Sequence, residues 1–305
     1  MPKIAVVMPV FNEADAIAEN FRELHRILLE SGIEAEYMLV DDGSRDRTWQ
    51  EIQALCTEFP AVRAIKFSRN FGKELALRAG LDHIDADIYV TLDSDLQHPP
   101  EHIAPMIALL ESSGASIVNG VKSSRGRESL LYKFLVKSFY RLLRATAGIE
   151  LDNNSDFKVM RREVVDQLRS LTERNIFYRG VVDWVGFDAV SYPFEVAGRK
   201  IGRTKFNFPR LFSFAIGAIV SYTSKPLLLT MVFGVLFALF AFVLGIHTLV
   251  NFFSGNAISG FSTVILLQLI TGALIMISLG LIGIYIAKIY DEVKGRPPYI
   301  VEEVL

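Results

Sequence analysis

Apolar and polar positions follow two rhythms along the first two-thirds of the chain. Compact apolar runs at Ile4–Val10, Glu36–Asp42, Val62–Ser68, Asp87–Asp93 and Ser116–Val121 are too short for helices and read as buried strands. Between several of them, residues 13–32, 46–59 and 73–84 carry apolar side chains at three- and four-residue spacing, the pattern of helices with one face inward. Strands alternating with helices predict an α/β domain built on a mostly parallel, Rossmann-like sheet with helices on both faces. Ligands of such open sheets bind beyond the carboxyl ends of the strands.

Both rhythms then stop. Residues 226–250 contain no Asp, Glu, Lys or Arg, and neither do residues 261–287. Each run exceeds the roughly 20 apolar residues that cross a bilayer core of about 30 Å. Two buried helices of a large soluble core are the weaker alternative. The chain therefore divides into a domain at 1–205, a juxtamembrane segment at 206–225, and a part at 226–305 holding two transmembrane helices and a tail. Phe206, Phe208, Phe212 and Phe214, mixed with Lys205 and Arg210, suit a helix lying in the headgroup layer. Lys225 precedes the first span, and Lys288, Lys294 and Arg296 follow the second. The positive-inside rule then makes an integral membrane protein whose sheet domain and both termini are cytoplasmic.

Charge and composition narrow the classes further. A net charge of −2 over 305 residues supplies no basic field for nucleic acid. The single Cys56 rules out an intrachain disulfide framework. The apolar run at residues 1–10 lacks the flanks of a secretory signal and is expected to remain as a strand. No G-x-G-x-x-G follows the first strand and no P-loop is present, which disfavours a dinucleotide-dependent dehydrogenase or a P-loop ATPase.

The candidate chemistry lies at the strand ends. The fourth run closes on Asp93 and Asp95, followed by Gln97. Carboxylates one residue apart on extended chain face opposite ways, and they converge only where the chain turns. Once close, they need a cation between them. Mg²⁺ or Mn²⁺ on oxygen ligands meets that need and leaves positions for phosphate, with Gln97 as a further carbonyl ligand. Two solvated loop aspartates remain the alternative. Asp41-Asp42-Gly43-Ser44, after the second strand, reads equally as a turn leading into a helix cap.

The order of VVMPVFNE, LVDDGS, NFGKELALRAG and LDSDLQHPP resembles the family 2 glycosyltransferases of the GT-A fold. NNSDFKVM (residues 153–160), RKIGRTKFNFP (199–209) and the two-span hairpin narrow the resemblance to polyprenyl-phosphate glycosyltransferases, such as dolichol-phosphate mannose synthases and bactoprenol glucosyltransferases. It implies a nucleotide-sugar donor held by Pro9, Phe11, Glu13, Asp42, Lys73 and Asp93, and a metal held by Asp93, Asp95 and Gln97, with Asp95 in a catalytic role. It also implies an acceptor phosphate met by Arg125, Lys133, Arg199 and Lys205. Asp156 of SDF is the position for a general base, or for a group that orients donor or acceptor. The implied reaction is inverting transfer of one hexose to polyprenyl (undecaprenyl) phosphate at the cytoplasmic face of a bacterial plasma membrane. Glucose from UDP-glucose is the first expectation; GDP-mannose, UDP-GlcNAc and an aminoarabinose donor stay open. No Q-x-x-R-W is present, as a processive polysaccharide synthase would carry. The resemblance implies a homo-oligomer, a tetramer in relatives. A catalytically inactive membrane scaffold, and transfer to a protein or polysaccharide, are the rival functions.

Overall fold

The computed structural model describes residues 2–122, 154–171, 173, 178–195, 225–254 and 260–305. The juxtamembrane segment up to residue 224, and with it Arg125, Lys133, Arg199 and Lys205, lies outside the described residues.

The expected strands and helices form within a few residues of the expected bounds. They are β1 (Ile4–Val10), α1 (Ile17–Glu30), β2 (Ala35–Asp41), α2 (Thr48–Glu58), β3 (Val62–Phe67), α3 (Lys73–His83), β4 (Ile88–Thr91) and β5 (Ile117–Lys122). α1 shows why the periodicity works. Ile17, Phe21, Leu24, Ile27 and Leu28 form its buried face. Its other face is held in water by Arg22–Glu58 and by Arg26 between Glu23 and Glu30. Every residue of β1 is buried, as expected of a central strand covered on both faces.

Further elements complete the sheet domain. A 3₁₀ turn at Pro100–His102 leads into α4 (Ile103–Ser113). After β5 come β6 (Asn154–Arg161), α5 (Arg162–Ser170), α6 (Tyr178–Trp184) and β7 (Ala189–Phe194). A last strand, β8 (Val301–Val304), lies near the chain's end. The strand order is β7-β5-β6-β4-β1-β2-β3-β8. Four neighbour pairs are parallel, β1/β2, β1/β4, β2/β3 and β5/β7. Three are antiparallel, β3/β8, β4/β6 and β5/β6. β1 continues to β2 on one side and has β4 on the other, so the crevice between β1 and β4 is the topological switch point of the sheet.

The C-terminal tail departs from its expected grouping. Arg296–Leu305 groups with the sheet domain, not with the two apolar helices. β8 pairs antiparallel with β3, and the backbone ladder closes with Leu305 N–H donating to Ala64 O at 2.8 Å. Trp49 Nε1 and Gln53 Nε2 both donate to the Glu303 carboxylate, at 2.9 and 3.2 Å. Tyr299 stacks on Phe67 and donates its hydroxyl to Asp82. Removing the Glu303 carboxylate leaves the Trp49 donor without its partner. Glu303→Ala is expected to cost about 2 kcal/mol in stability, read by denaturant unfolding of the purified protein.

The second unit contains α7 (Lys225–Phe253) and α8 (Phe261–Val293), of 29 and 33 residues. At a rise of about 1.5 Å per residue each is longer than a bilayer core. Their apolar spans, Thr230–Phe253 and Val264–Val293, have no buried share. A core helix of a soluble protein would show the reverse, so the soluble-core alternative finds no support in the packing.

Candidate functional site

The loop after β1 sets one wall of the site. Asn12 takes a left-handed backbone (φ 52°), a conformation that asparagine tolerates better than most residues. Its N–H donates to Ser44 Oγ at 2.9 Å, and its Oδ1 accepts the Arg45 N–H at 2.9 Å. The V-F-N-E loop is thereby fastened to the D-D-G-S loop, and Glu13 N–H is fixed on Thr48 Oγ1 at 2.8 Å. Gly43 must be glycine. It has φ 67°, and a Cβ there would stand 2.2 Å from the Arg69 carbonyl carbon.

Asp42 is buried and acts locally. Its carboxylate accepts from Asn70 Nδ2 at 2.8 Å and from the N–H groups of Phe71 and Gly72 at 2.7 and 3.0 Å. Those bonds fix the backbone immediately before Lys73, the first residue of α3. The D-D-G-S motif thus serves as a turn and as the anchor of the next helix.

The fourth strand ends in a turn that carries both aspartates. Leu96 adopts φ 50°, and Leu96 N–H reaches back to Asp93 O. Asp95 Oδ1 accepts the Gln97 N–H at 3.0 Å. Ser94 Oγ donates to Pro9 O at 3.0 Å, which ties this turn to the end of β1 across the switch-point crevice. The resulting cleft, about 210 Å³, is lined by Pro9, Phe11, Glu13, Asp42, Lys73, Asp93 and Asp95, with Val10 and Ser94 between them. Every described residue expected to hold donor or metal lines it except Gln97, whose contribution to the turn is its backbone N–H. A neighbouring recess of about 580 Å³ shares Phe11 and is lined by Arg45, Lys66, Arg69 and, from the C-terminal strand, Glu302.

The electrostatics favour a bound cation. One Glu13 carboxylate oxygen, Oε2, is buried with no hydrogen-bond partner. Burial raises the Glu13 pKa, and the charges of Asp95 and Asp93 raise it further against a hydrogen bond from Ser94. Among the described residues no group of three or more His, Cys, Asp or Glu side chains forms a complete metal site. An oxygen-only set of two carboxylates suits Mg²⁺ or Mn²⁺, which keep waters or substrate phosphates as their other ligands.

Asp156, on β6, stands behind Lys73. Its side chain is 3% exposed. Arg179 grips both its oxygens, Nε to Oδ1 at 2.6 Å and Nη2 to Oδ2 at 2.9 Å. Lys73 Nζ donates to Oδ2 at 2.5 Å. Burial would raise the Asp156 pKa, but Arg179 and Lys73 outweigh it and hold the carboxyl well below the usual range. Burial likewise disfavours the Lys73 ammonium, yet Asp156 and Asp93 keep its pKa above the ordinary value. Arg179 was not among the sequence-derived candidates. It is the second residue of a short helix, 23 residues beyond Asp156, and no periodicity or motif spacing marks it. Lys158, two residues on, is fully buried and donates to Asn119 Oδ1. Burial pulls its pKa down to about 8.

Glu74 joins this cluster to α6 by accepting the Tyr178 N–H at 2.7 Å. Burial, then the charge of Asp156, pushes its pKa from an ordinary 4.5 up to about 7. The raised value means that the neutral form is favoured in the folded state. The stability this group contributes is therefore complete below pH 4.5 and is lost as pH rises through about 7. Glu74→Gln removes that loss. Its stability relative to the parent should grow by about 2 kcal/mol between about pH 5 and pH 8, measured by denaturant unfolding at each pH.

Comparison with known proteins bears on the family and the fold. Residues 5–169 match the family model described as glycosyl transferase family 2. The chain is 35% identical over 304 residues to the prophage bactoprenol glucosyl transferase homolog of Escherichia coli K12, with 99% of each chain covered. It is also 35% identical over 303 residues to the bactoprenol glucosyl transferase of Shigella phage SfII, covering 99% of this chain and 98% of that one. Among solved structures, the fold matches the mannosyltransferase PcManGT of Pyrobaculum calidifontis, determined with GDP-Man and Mn²⁺. The TM-score is 0.51 at 19% identity, covering 72% of this chain and 63% of the other. It matches the glucosyl-3-phosphoglycerate synthase of Mycobacterium tuberculosis, with Mn²⁺, UDP and phosphoglyceric acid, at a TM-score of 0.50 and 21% identity, covering 72% and 76%. At these identities the two structures establish the GT-A architecture.

Proposed function

The chain belongs to glycosyl transferase family 2, and from that membership we propose that it transfers one glucose from UDP-glucose to polyprenyl phosphate at the cytoplasmic membrane face. The observation that carries this reading is the convergence of Glu13, Lys73, Asp93 and Asp95 in one cleft at the switch point of the sheet. The full-length identity to bactoprenol glucosyl transferases supports the acceptor class and the sugar.

The diphosphate of the donor lies in the cleft, and its nucleoside extends past Phe11 into the neighbouring recess. Asp93 and Asp95 hold a divalent cation, Mg²⁺ or Mn²⁺. When bound, that ion neutralises the charge that the leaving diphosphate gains as the glycosidic bond breaks. An oxygen of the acceptor phosphate forms the new bond to the anomeric carbon. The bond to the β-phosphate breaks, the nucleoside diphosphate departs with the electron pair, and the anomeric centre inverts. A phosphate monoester, with a second pKa of about 6, is mostly dianionic at neutral pH and needs no strong base. Asp156 accordingly takes the orienting role. Its carboxylate, bound by Lys73 and Arg179, holds the cleft-lining Lys73 in place. Arg125, Lys133, Arg199 and Lys205 meet the acceptor phosphate.

Connectivity supports the membrane placement. The chain leaves the sheet domain before α7 and re-enters it at β8 after α8. Two crossings by α7 and α8 satisfy that return, and a single crossing does not. Lys225, Lys288, Lys294 and Arg296 at the flanks support a cytoplasmic sheet domain.

The test uses purified full-length protein, undecaprenyl phosphate and a panel of labelled UDP-glucose, UDP-GlcNAc, GDP-mannose and an aminoarabinose donor. Label from UDP-glucose is expected in organic-extractable lipid. Label from another donor alone overturns the sugar. Label only in aqueous polymer or protein overturns the acceptor, and no transfer from any donor supports an inactive scaffold.

A further inference from the structure

Lys73 makes two contacts of equal length and unequal kind. Its Nζ lies 2.5 Å from Asp156 Oδ2 and 2.5 Å from Asp93 Oδ1. The first is an aligned hydrogen bond, whereas Asp93 Oδ1 is buried and receives no aligned one. Asp156 does not depend on Lys73 alone, because Arg179 engages both of its oxygens. The root of the lysine is fixed, since Asp42 pins the N–H groups of Phe71 and Gly72 just before it. Its four-carbon stem is flexible, and its side chain is 39% exposed toward the cleft.

We propose that Lys73 is an exchangeable counter-ion. It neutralises Asp93 while the site is empty, yields that carboxylate to the divalent cation, and pivots on Asp156 to meet a substrate phosphate. The inference rests on the reading that Asp93 and Asp95 hold the metal. A divalent ion coordinates a carboxylate oxygen at about 2.1 Å, and the ammonium already stands against that same oxygen. Two cations cannot share the position without strong repulsion. Arg179 stays on Asp156 throughout, so the lysine leaves Asp93 without stranding a buried charge. A fixed guanidinium behind a mobile ammonium thus separates the holding function from the exchanging one. Lys73 is a positioning residue in the empty site and touches substrate only after exchange.

The experiment measures Mn²⁺ binding to the nucleotide-free full-length protein from the electron paramagnetic resonance signal of the free ion. Lys73→Gln is expected to bind Mn²⁺ about tenfold more tightly than the parent, because the competing charge is gone. The same variant should lose glycosyl transfer, so metal affinity and turnover move in opposite directions. Lys73→Arg, which keeps the charge, should not tighten the ion. Lys73→Met keeps much of the stem and repeats the measurement if the glutamine variant does not fold. Asp95→Asn is measured alongside and should abolish binding in both backgrounds. Unchanged or weaker Mn²⁺ affinity in the Lys73 variants, with binding still lost in Asp95→Asn, overturns the counter-ion role and leaves the metal reading standing. Binding that persists in Asp95→Asn overturns the metal reading, and this inference with it.

Discussion

Asp95→Asn should lower kcat/KM for transfer to polyprenyl phosphate by about a thousandfold while leaving the fold intact. Both halves of that expectation come from one turn. Asp95 Oδ1 accepts the Gln97 N–H, and an asparagine carbonyl accepts it equally well. Ser94 on Pro9 and Asn20 on Ser94 hold the rest of the turn without Asp95. The substitution therefore removes charge but not shape. What it takes away is half of the carboxylate pair proposed to hold a cation against the donor diphosphate. Steady-state transfer into extractable lipid reads the loss, and thermal unfolding checks the fold. Retention of more than about a tenth of the parental rate would be incompatible with charge stabilisation of this size.

The second large effect is expected at Asp156. Asp156→Ala deprives Lys73 and Arg179 of a shared anion in a site where the carboxylate is almost fully buried. Breaking a buried pair leaves uncompensated charge, at a cost of about 3 kcal/mol, taken at the low end because both cations retain some access to water. The pH dependence has a definite sign. The folded pKa of Asp156 is depressed, so its stabilisation is present above the ordinary carboxylate pKa of about 4 and is lost as pH falls toward the folded value. The gap between parent and variant should be full at pH 7 and narrow below pH 4, as followed by denaturant unfolding. Transfer should fall as well, since the cations lose their placement. The parental rate should show no acid limb from this group between about pH 5 and pH 8, where a working general base would titrate.

The sequence made the centre of the sheet legible and left its margins obscure. β1 to β5 are compact runs bounded by polar residues, and burial on both faces, complete in β1 and β4, is what produces the apolar ones, whereas β3 leaves Arg63 exposed. β6 was read only as part of the N-N-S-D-F-K-V-M motif, because it carries Asp156 and Lys158 inward, where a strand template expects apolar side chains. β7 contains Pro193, which fits its place at the sheet edge but weakens a strand signal. β8 is four residues long, sets two adjacent glutamates between valines, and pairs with a strand more than two hundred residues earlier. Nothing local announces that partner.

The same division holds at the site. Pro9, Phe11, Glu13, Asp42, Lys73, Asp93 and Asp95 sit in motifs at strand ends, and the sheet topology brings strand ends together. Asp93 and Asp95 both line the cleft, and the left-handed Leu96 lies after them, in the turn that leads to Gln97. The Arg179–Asp156 pair and the double contact of Lys73 depend on tertiary placement alone. They change the chemistry assigned to Asp156, because a carboxylate held by two cations is a stable anion and a poor base.

The most direct test of the account is a structure of the full-length protein with Mn²⁺ and a non-hydrolysable UDP-glucose analogue, with the ion located by its anomalous scattering. Manganese is expected on oxygens of both Asp93 and Asp95, beside the diphosphate, with Lys73 withdrawn from Asp93. Manganese bound away from these carboxylates, with the diphosphate lying elsewhere in the domain, would contradict it.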